Sequence, residues 1–289
     1  MNRKSFVKWL TAMPLTYTAM NLNAFDKLTD SLESSDKMPV LFIGHGSPMN
    51  VLTDNPYRKE WAEWGKKLPT PKAILCISAH WLTRGTYVTM TDKPQTIHDF
   101  GGFPEALFQQ QYPAPGAVDF AKSTIENVKG VTVHEDYQWG LDHGTWCVLK
   151  PMFPEAKIPV FQMSLDYTKP PQYHYDLAKE LAFLRKKGVL IIGSGNVVHN
   201  FIGFRTGGGY YDWANEFDNF IKDNIEKHED KPLIEYEKLG KLATLAHPSN
   251  DHYLPLMYSL GLRDSADKHT FFNETMDYGT MSMRSVIFN

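Results

Sequence analysis

Three short apolar runs, each leading straight into a glycine or a histidine, constrain this chain more than any other feature. Pro39–Ile43 runs into Gly44, Ala73–Ala79 into His80, and Val189–Ile192 into Gly193. Runs so brief and so uniformly apolar read as buried parallel strands covered on both faces. Between the first two, Asn55 can cap a helix, Pro56 suits its first turn, and Trp61, Trp64 and Leu68 recur at helical spacing. The alternation continues: strands over 87–91 and 158–165, helices over 116–128 and 173–187, the latter stopped by Gly188. A long amphipathic helix over 211–228, a shorter one over 251–260 and strands over 269–273 and 281–288 complete the reading. Alternating strands and helices predict an α/β fold, a single domain with a mostly parallel central sheet flanked by helices on both faces.

At 289 residues the chain fits one large α/β unit, which we place at 38–289 after an N-terminal extension over 1–37. That extension starts with a basic head, Asn2 to Lys8, followed by a weakly apolar stretch from Trp9 to Met20. The order resembles an export signal of twin-arginine type, but Thr, Pro and Tyr interrupt the apolar part, so a loosely packed tail on a cytoplasmic protein is the expectation and export to the periplasm the alternative. A net charge of −3 with no basic aromatic-rich run speaks against a nucleic-acid partner. No apolar run reaches the roughly 18–20 residues that cross a bilayer, so no membrane partner is expected. Cys76 and Cys147 are too few and too far apart for a disulfide scaffold or a cysteine-rich zinc site.

The histidines carry the chemistry. His45 follows the first strand in Gly44-His45-Gly46, His80 follows the second, and His199 lies seven residues past the strand that ends at Ile192. In open α/β sheets, sites collect outside the carboxyl ends of the strands, so these imidazoles converge on one crevice if they converge at all. His252 adds a further imidazole, and His143, in Asp142-His143-Gly144, offers an acid or base. Each has a plainer reading as a turn histidine with a satisfied hydrogen bond. Gly193-Ser194-Gly195 after a strand is a possible phosphate cradle, yet it lacks the P-loop lysine and the full GxGxxG pattern.

The segments LFIGHGSPMN at 41–50, SAHW at 78–81, TIHDFGGFP at 96–104, YPAPG at 112–116, WGLDHG at 139–144, SGNVVHN at 194–200 and HYLP at 252–255 together resemble the LigB-type class III extradiol ring-cleavage dioxygenases, within them the 4,5-DOPA dioxygenase branch. The resemblance runs from about Met38 to the C-terminus. It implies that His45, His80 and His252 hold a metal, with His199 as fourth ligand or as acid/base, and that His143 is a catalytic position. It also implies substrate contacts from Ser47, His98, Phe100, Asn196 and Tyr253, with the loop 97–104 bordering the pocket. Iron(II) is the expected cofactor, and a catechol-type small molecule and O2 the expected partners. Related enzymes often place a carboxylate in the metal triad where this chain has His252, and an all-histidine set also suits zinc. A zinc hydrolase and a non-catalytic metal-binding protein on the same fold are the competing functions.

Overall fold

A computed structural model describes residues 37–202, 204 and 209–289; the expectations for the extension, tail or export signal, lie outside the described residues. The first half runs β1 (Val40–Gly44), α1 (Pro56–Lys67), β2 (Ala73–Thr83), β3 (Thr86–Thr89), α2 (Glu105–Phe108), α3 (Val118–Asn127) and β4 (Val133–Asp136). Next come α4 (His143–Met152), β5 (Val160–Asp166), α5 (Pro171–Glu180), α6 (Ala182–Lys186), β6 (Val189–Gly195) and α7 (Asp212–Glu226). The remainder is α8 (Asp230–Ile234), α9 (Lys241–Ala246), α10 (Leu254–Leu262), β7 (His269–Phe272), β8 (Met276–Asp277), β9 (Met281–Ser282) and β10 (Ser285–Phe288).

Eight strands form one sheet in the order β4-β3-β5-β2-β6-β1-β10-β7. Its centre, β5-β2-β6-β1, is parallel throughout, as the apolar runs demand. Antiparallel pairing enters at β3 with β5 and at β10 with both β1 and β7. Alternate strand residues bury on opposite faces. Val40, Phe42, Leu75, Ile77, Val189 and Ile191 join Leu177, Phe217 and Leu256 from α5, α7 and α10. Leu41, Ile43, Ile74, Cys76, Leu190 and Ile192 pack on Trp61, Trp146 and Leu149 from α1 and α4. Both faces are therefore covered by helices, the α/β layering expected of such a sequence. Among the described residues, no helix is long and apolar enough to cross a membrane.

Several boundaries differ from expectation. The helix expected over 173–187 is two, α5 and α6, meeting at buried Leu181. The last strand is broken into β9 and β10, because Arg284 between them turns inward to pair with Asp218 at 2.6 Å. More consequential for the site, β2 extends to Thr83, so His80 lies within it rather than after it. Its pairing with β5 shifts register between Ile77 and Leu82, and such an irregularity re-aims the side chains it contains.

Candidate active site

Three sheet-end segments and two helix starts bring their histidines to a single cavity of about 560 Å³, a size suited to a small organic ligand. After β1 the chain turns at Gly46, whose φ of +60° favours glycine, and His45 is swung inward and buried. Its Nδ1 lies 3.0 Å from the Ser194 hydroxyl on β6. His45 Nε2 and His80 Nε2 face each other at 3.1 Å. His252 reaches the same place because the backbone at Gly195 packs against it: a Cβ at Gly195 would come within 2.2 Å of the His252 carbonyl oxygen. The His252 Nδ1–H donates to Asp251 at 2.5 Å, while its Nε2 is buried with no hydrogen-bond partner among the described residues.

His143 opens α4, where buried Asp142 caps the helix by accepting from the Thr145 amide. Ser78 and Gln162 hold the Asp142 carboxylate at 2.6 and 2.7 Å, which fixes the start of the helix. Asp99 accepts from the His143 amide at 2.9 Å and from His143 Nδ1–H at 2.9 Å, and lies 3.4 Å from His80 Nδ1. His199 lies flat on His252, ring centres 3.5 Å apart and planes within 3°.

Burial is the main force on His45, His80, His199 and His252, and neighbouring imidazoles add to it. It carries His45 and His252 well below the ordinary 6.5. Burial, with His143 beside it and Asp99 opposing, brings His80 to about 3. Burial brings His199 to about 4 against the pull of Asp251. Burial alone would raise Asp99, but its hydrogen bonds from His143 and the neighbouring imidazole charges win and hold the carboxyl low. Neutral imidazoles beside an ionised carboxylate are ready to take a cation without first losing protons. The ligand atoms of His45, His80 and His143 all lie within 4.8 Å of one another, so this group could hold a metal ion.

Of the residues expected at the substrate, Ser47 and Phe100 line the cavity, whereas His98, Asn196 and Tyr253 do not. His98 bonds the Gln110 carbonyl through Nε2 at 2.9 Å. Asn196 accepts from the Gly46 amide and donates to the Ser282 carbonyl, propping the turn that presents His45. Tyr253 is fully buried and donates to the Leu233 carbonyl. Sequence reasoning missed Asp99 and Asp251, although each adjoins a histidine it had singled out. Phe103 lies in the loop expected to border the pocket, but the rest of the apolar rim, Phe201, Phe204, Tyr278 and Met281, was missed; Phe201 is 66% exposed.

The family model described as the catalytic LigB subunit of aromatic ring-opening dioxygenase matches residues 39–289. A 4,5-DOPA dioxygenase extradiol from Escherichia coli (strain K12) is 45% identical over 267 residues, covering 89% of this chain and 97% of that protein. One from Beta vulgaris is 37% identical over 254 residues, covering 86% of this chain and 95% of that protein. The crystal structure of an uncharacterized protein from Escherichia coli K12 superposes with a TM-score of 0.75 at 40% identity, covering 87% of this chain and all of that one.

Proposed function

Since this chain belongs to the LigB family of aromatic ring-opening dioxygenases, we propose that it opens the ring of a catechol such as DOPA with O2, at an iron(II) held by His45, His80 and His252. The observation that carries the ligand set is the fan of three rings. Imidazole nitrogens bind such ions at about 2.0–2.1 Å, which puts ring centres about 3 Å from the ion and about 5 Å from one another. The centres of His45 and His80, His45 and His252, and His80 and His252 stand 5.0, 5.2 and 5.0 Å apart. The unpartnered, buried Nε2 of His252 fits the same reading, since a buried polar atom wants a partner.

His143 and His199 fit less well as ligands than His252, although the ligand atoms of His45, His80 and His143 lie within 4.8 Å of one another. The His143 ring centre is 3.8 Å from that of His80, too close for two rings fanned around one ion. His199 is parallel to His252, so the in-plane lone pairs of the two rings do not converge. Both suit acid–base work instead. Asp99 accepts a hydrogen bond from the Nδ1–H of His143, which leaves the His143 Nε2 as a proton acceptor. A catechol hydroxyl proton taken up there is stabilised by the carboxylate behind it, and returning it later is the acid step. His199 is the second group able to move a proton, across the cavity. Ser47 and Phe100 border the substrate, and Phe103, Phe201 and Tyr278 exclude water from its ring.

Bound iron(II) supplies Lewis acidity toward the catechol oxygens and a redox route for O2, which zinc lacks. Loading the protein anaerobically with iron(II), then adding air and L-DOPA, is expected to give O2 uptake and a yellow ring-opened product, with neither from the zinc-loaded form. Absence of O2 uptake across a panel of catechols by the iron-loaded protein would sink the reading.

A further inference from the structure

We infer that Ser194 is a positioning residue that fixes the tautomer of His45 and ties it to the helix carrying His143; this rests on the ligand set proposed above. The Ser194 hydroxyl has one proton. It lies 2.5 Å from the Gly144 carbonyl oxygen, which can only accept, so the proton is committed there. The same oxygen lies 3.0 Å from His45 Nδ1 and can therefore only accept from it. His45 thus carries its proton on Nδ1, and its Nε2 is a bare lone pair.

The alternative tautomer would change what the cavity can do. With the proton on Nε2, His45 would donate to His80 Nε2 across 3.1 Å, and the two rings would satisfy each other without a cation. Ser194 removes that option, and Asp99, 3.4 Å from His80 Nδ1, favours a proton on that nitrogen and so opposes donation from His80 Nε2 in the other direction. Two lone pairs facing each other repel unless an ion lies between them, so a hydroxyl behind one ring and a carboxylate behind the other convert a self-satisfied histidine pair into an open coordination site.

The placement follows from the fold. Ser194 sits on β6 one residue before its end, fully buried, on the face shared with Leu190 and Ile192 that packs against α4. One hydroxyl therefore joins β6, the turn after β1 and the first turn of α4. The Gly193-Ser194-Gly195 segment reads here as a hydroxyl held rigidly between two close backbone approaches, at the Pro255 and His252 carbonyls, and its chemistry is directed at an imidazole.

The test uses the full chain and the variants Ser194→Ala and Ser194→Thr, with Ser259→Ala as a control that deletes another buried strand-contacting hydroxyl, the one bonded to the Leu41 carbonyl. Zinc affinity is measured by chelator competition, and the His45 tautomer by nitrogen-15 correlation of the imidazole in metal-free and zinc-loaded protein. The expectation is a 10- to 100-fold loss of zinc affinity in Ser194→Ala, in keeping with the usual effect of losing a ligand's outer hydrogen bond, recovery toward wild type in Ser194→Thr, and a change within about twofold in Ser259→Ala. Wild-type His45 is expected to show a proton on Nδ1 with and without metal. Equal zinc affinity in Ser194→Ala, equal loss in Ser259→Ala, or a metal-free wild-type His45 protonated on Nε2 would overturn the inference. A wild-type protein that binds no metal but keeps the Nδ1 tautomer would overturn the ligand set and leave the positioning role standing.

Discussion

The two walls of the cavity use the same parts, a carboxylate and two imidazoles, and tie them differently. On one side Asp99 contacts both His80 and His143, gripping His143 through ring and amide alike. On the other, Asp251 contacts His252, its neighbour in sequence, while among the described residues His199 meets that wall through ring contacts with His252 and Phe201 and a backbone bridge to Met281. The first wall is clamped from a distance of 44 residues along the chain; the second is assembled locally. A ring held at two points is suited to receive a proton in a fixed place, whereas a ring held by stacking can adjust to what binds beside it.

The largest effect separates ligands from acid–base groups across the two walls. His45→Ala and His252→Ala are expected to lose the metal and at least ~10⁴-fold in kcat, while His143→Ala and His199→Ala keep the metal and lose ~10²- to 10⁴-fold, the range for general acid–base catalysis. Metal analysis beside steady-state kinetics checks this; a metal-free His143→Ala with a metal-loaded His252→Ala would exchange the roles of the two walls. Next, Asp99→Asn should cost on the order of 10²-fold in kcat, because one substitution loosens two rings. Asp251→Asn, which loosens one, is expected to weaken metal binding by about 10-fold and kcat by less. Equal losses in the two variants would erase the distinction drawn between the walls.

Acid treatment tests what both walls share with the rest of the core. His174 and His247, outside the cavity, are carried by burial to about 4 from an ordinary 6.5. A value lowered by folding means the unfolded chain takes up the proton first. The stabilisation is thus complete above pH 6.5 and is lost as pH falls from there through about 4, a gap worth on the order of 3 kcal/mol per group. Urea midpoints of the metal-free protein between pH 7.5 and 4.5 are expected to fall in that direction. A flat profile would show that these histidines are protonated in the fold. The smallest effect belongs to the rim: Phe201→Ala is expected to raise KM a few-fold with kcat unchanged, and a kcat loss as deep as that of His199→Ala would place the ring in the proton-transfer machinery.

Most of the sheet was legible, the half-exposed β7 as well as the fully buried centre. β1, β2 and β6 announce themselves as apolar runs. β4, with the sequence Val133-His134-Glu135-Asp136, is a polar edge that no pattern distinguishes from a loop. α4 is nearly all buried and holds Gly144 and Pro151, so it shows neither an amphipathic stripe nor good helix formers. The antiparallel entry of β10 beside β1 is a tertiary choice that local sequence does not encode. In the site, strand ends picked out His45 and His80, and His252 was noted as a further imidazole before the resemblance implied a role for it. The resemblance also brought in Tyr253, yet one step at a helix start turns a side chain by about 100°, and Tyr253 is buried away from the cavity with its hydroxyl on the Leu233 carbonyl. Asp99 was hidden for the opposite reason: its partners are far along the chain.

The antiparallel placement of β10 also orders events during synthesis. Gly44, the residue that launches the His45 turn, donates its amide to the Ser285 hydroxyl, 241 residues later. A nascent chain therefore carries the His45 turn without this last brace until nearly all of the remaining polypeptide has been made. Pairings this distant form slowly, so the floor of the cavity becomes one of the last parts of the fold to be completed.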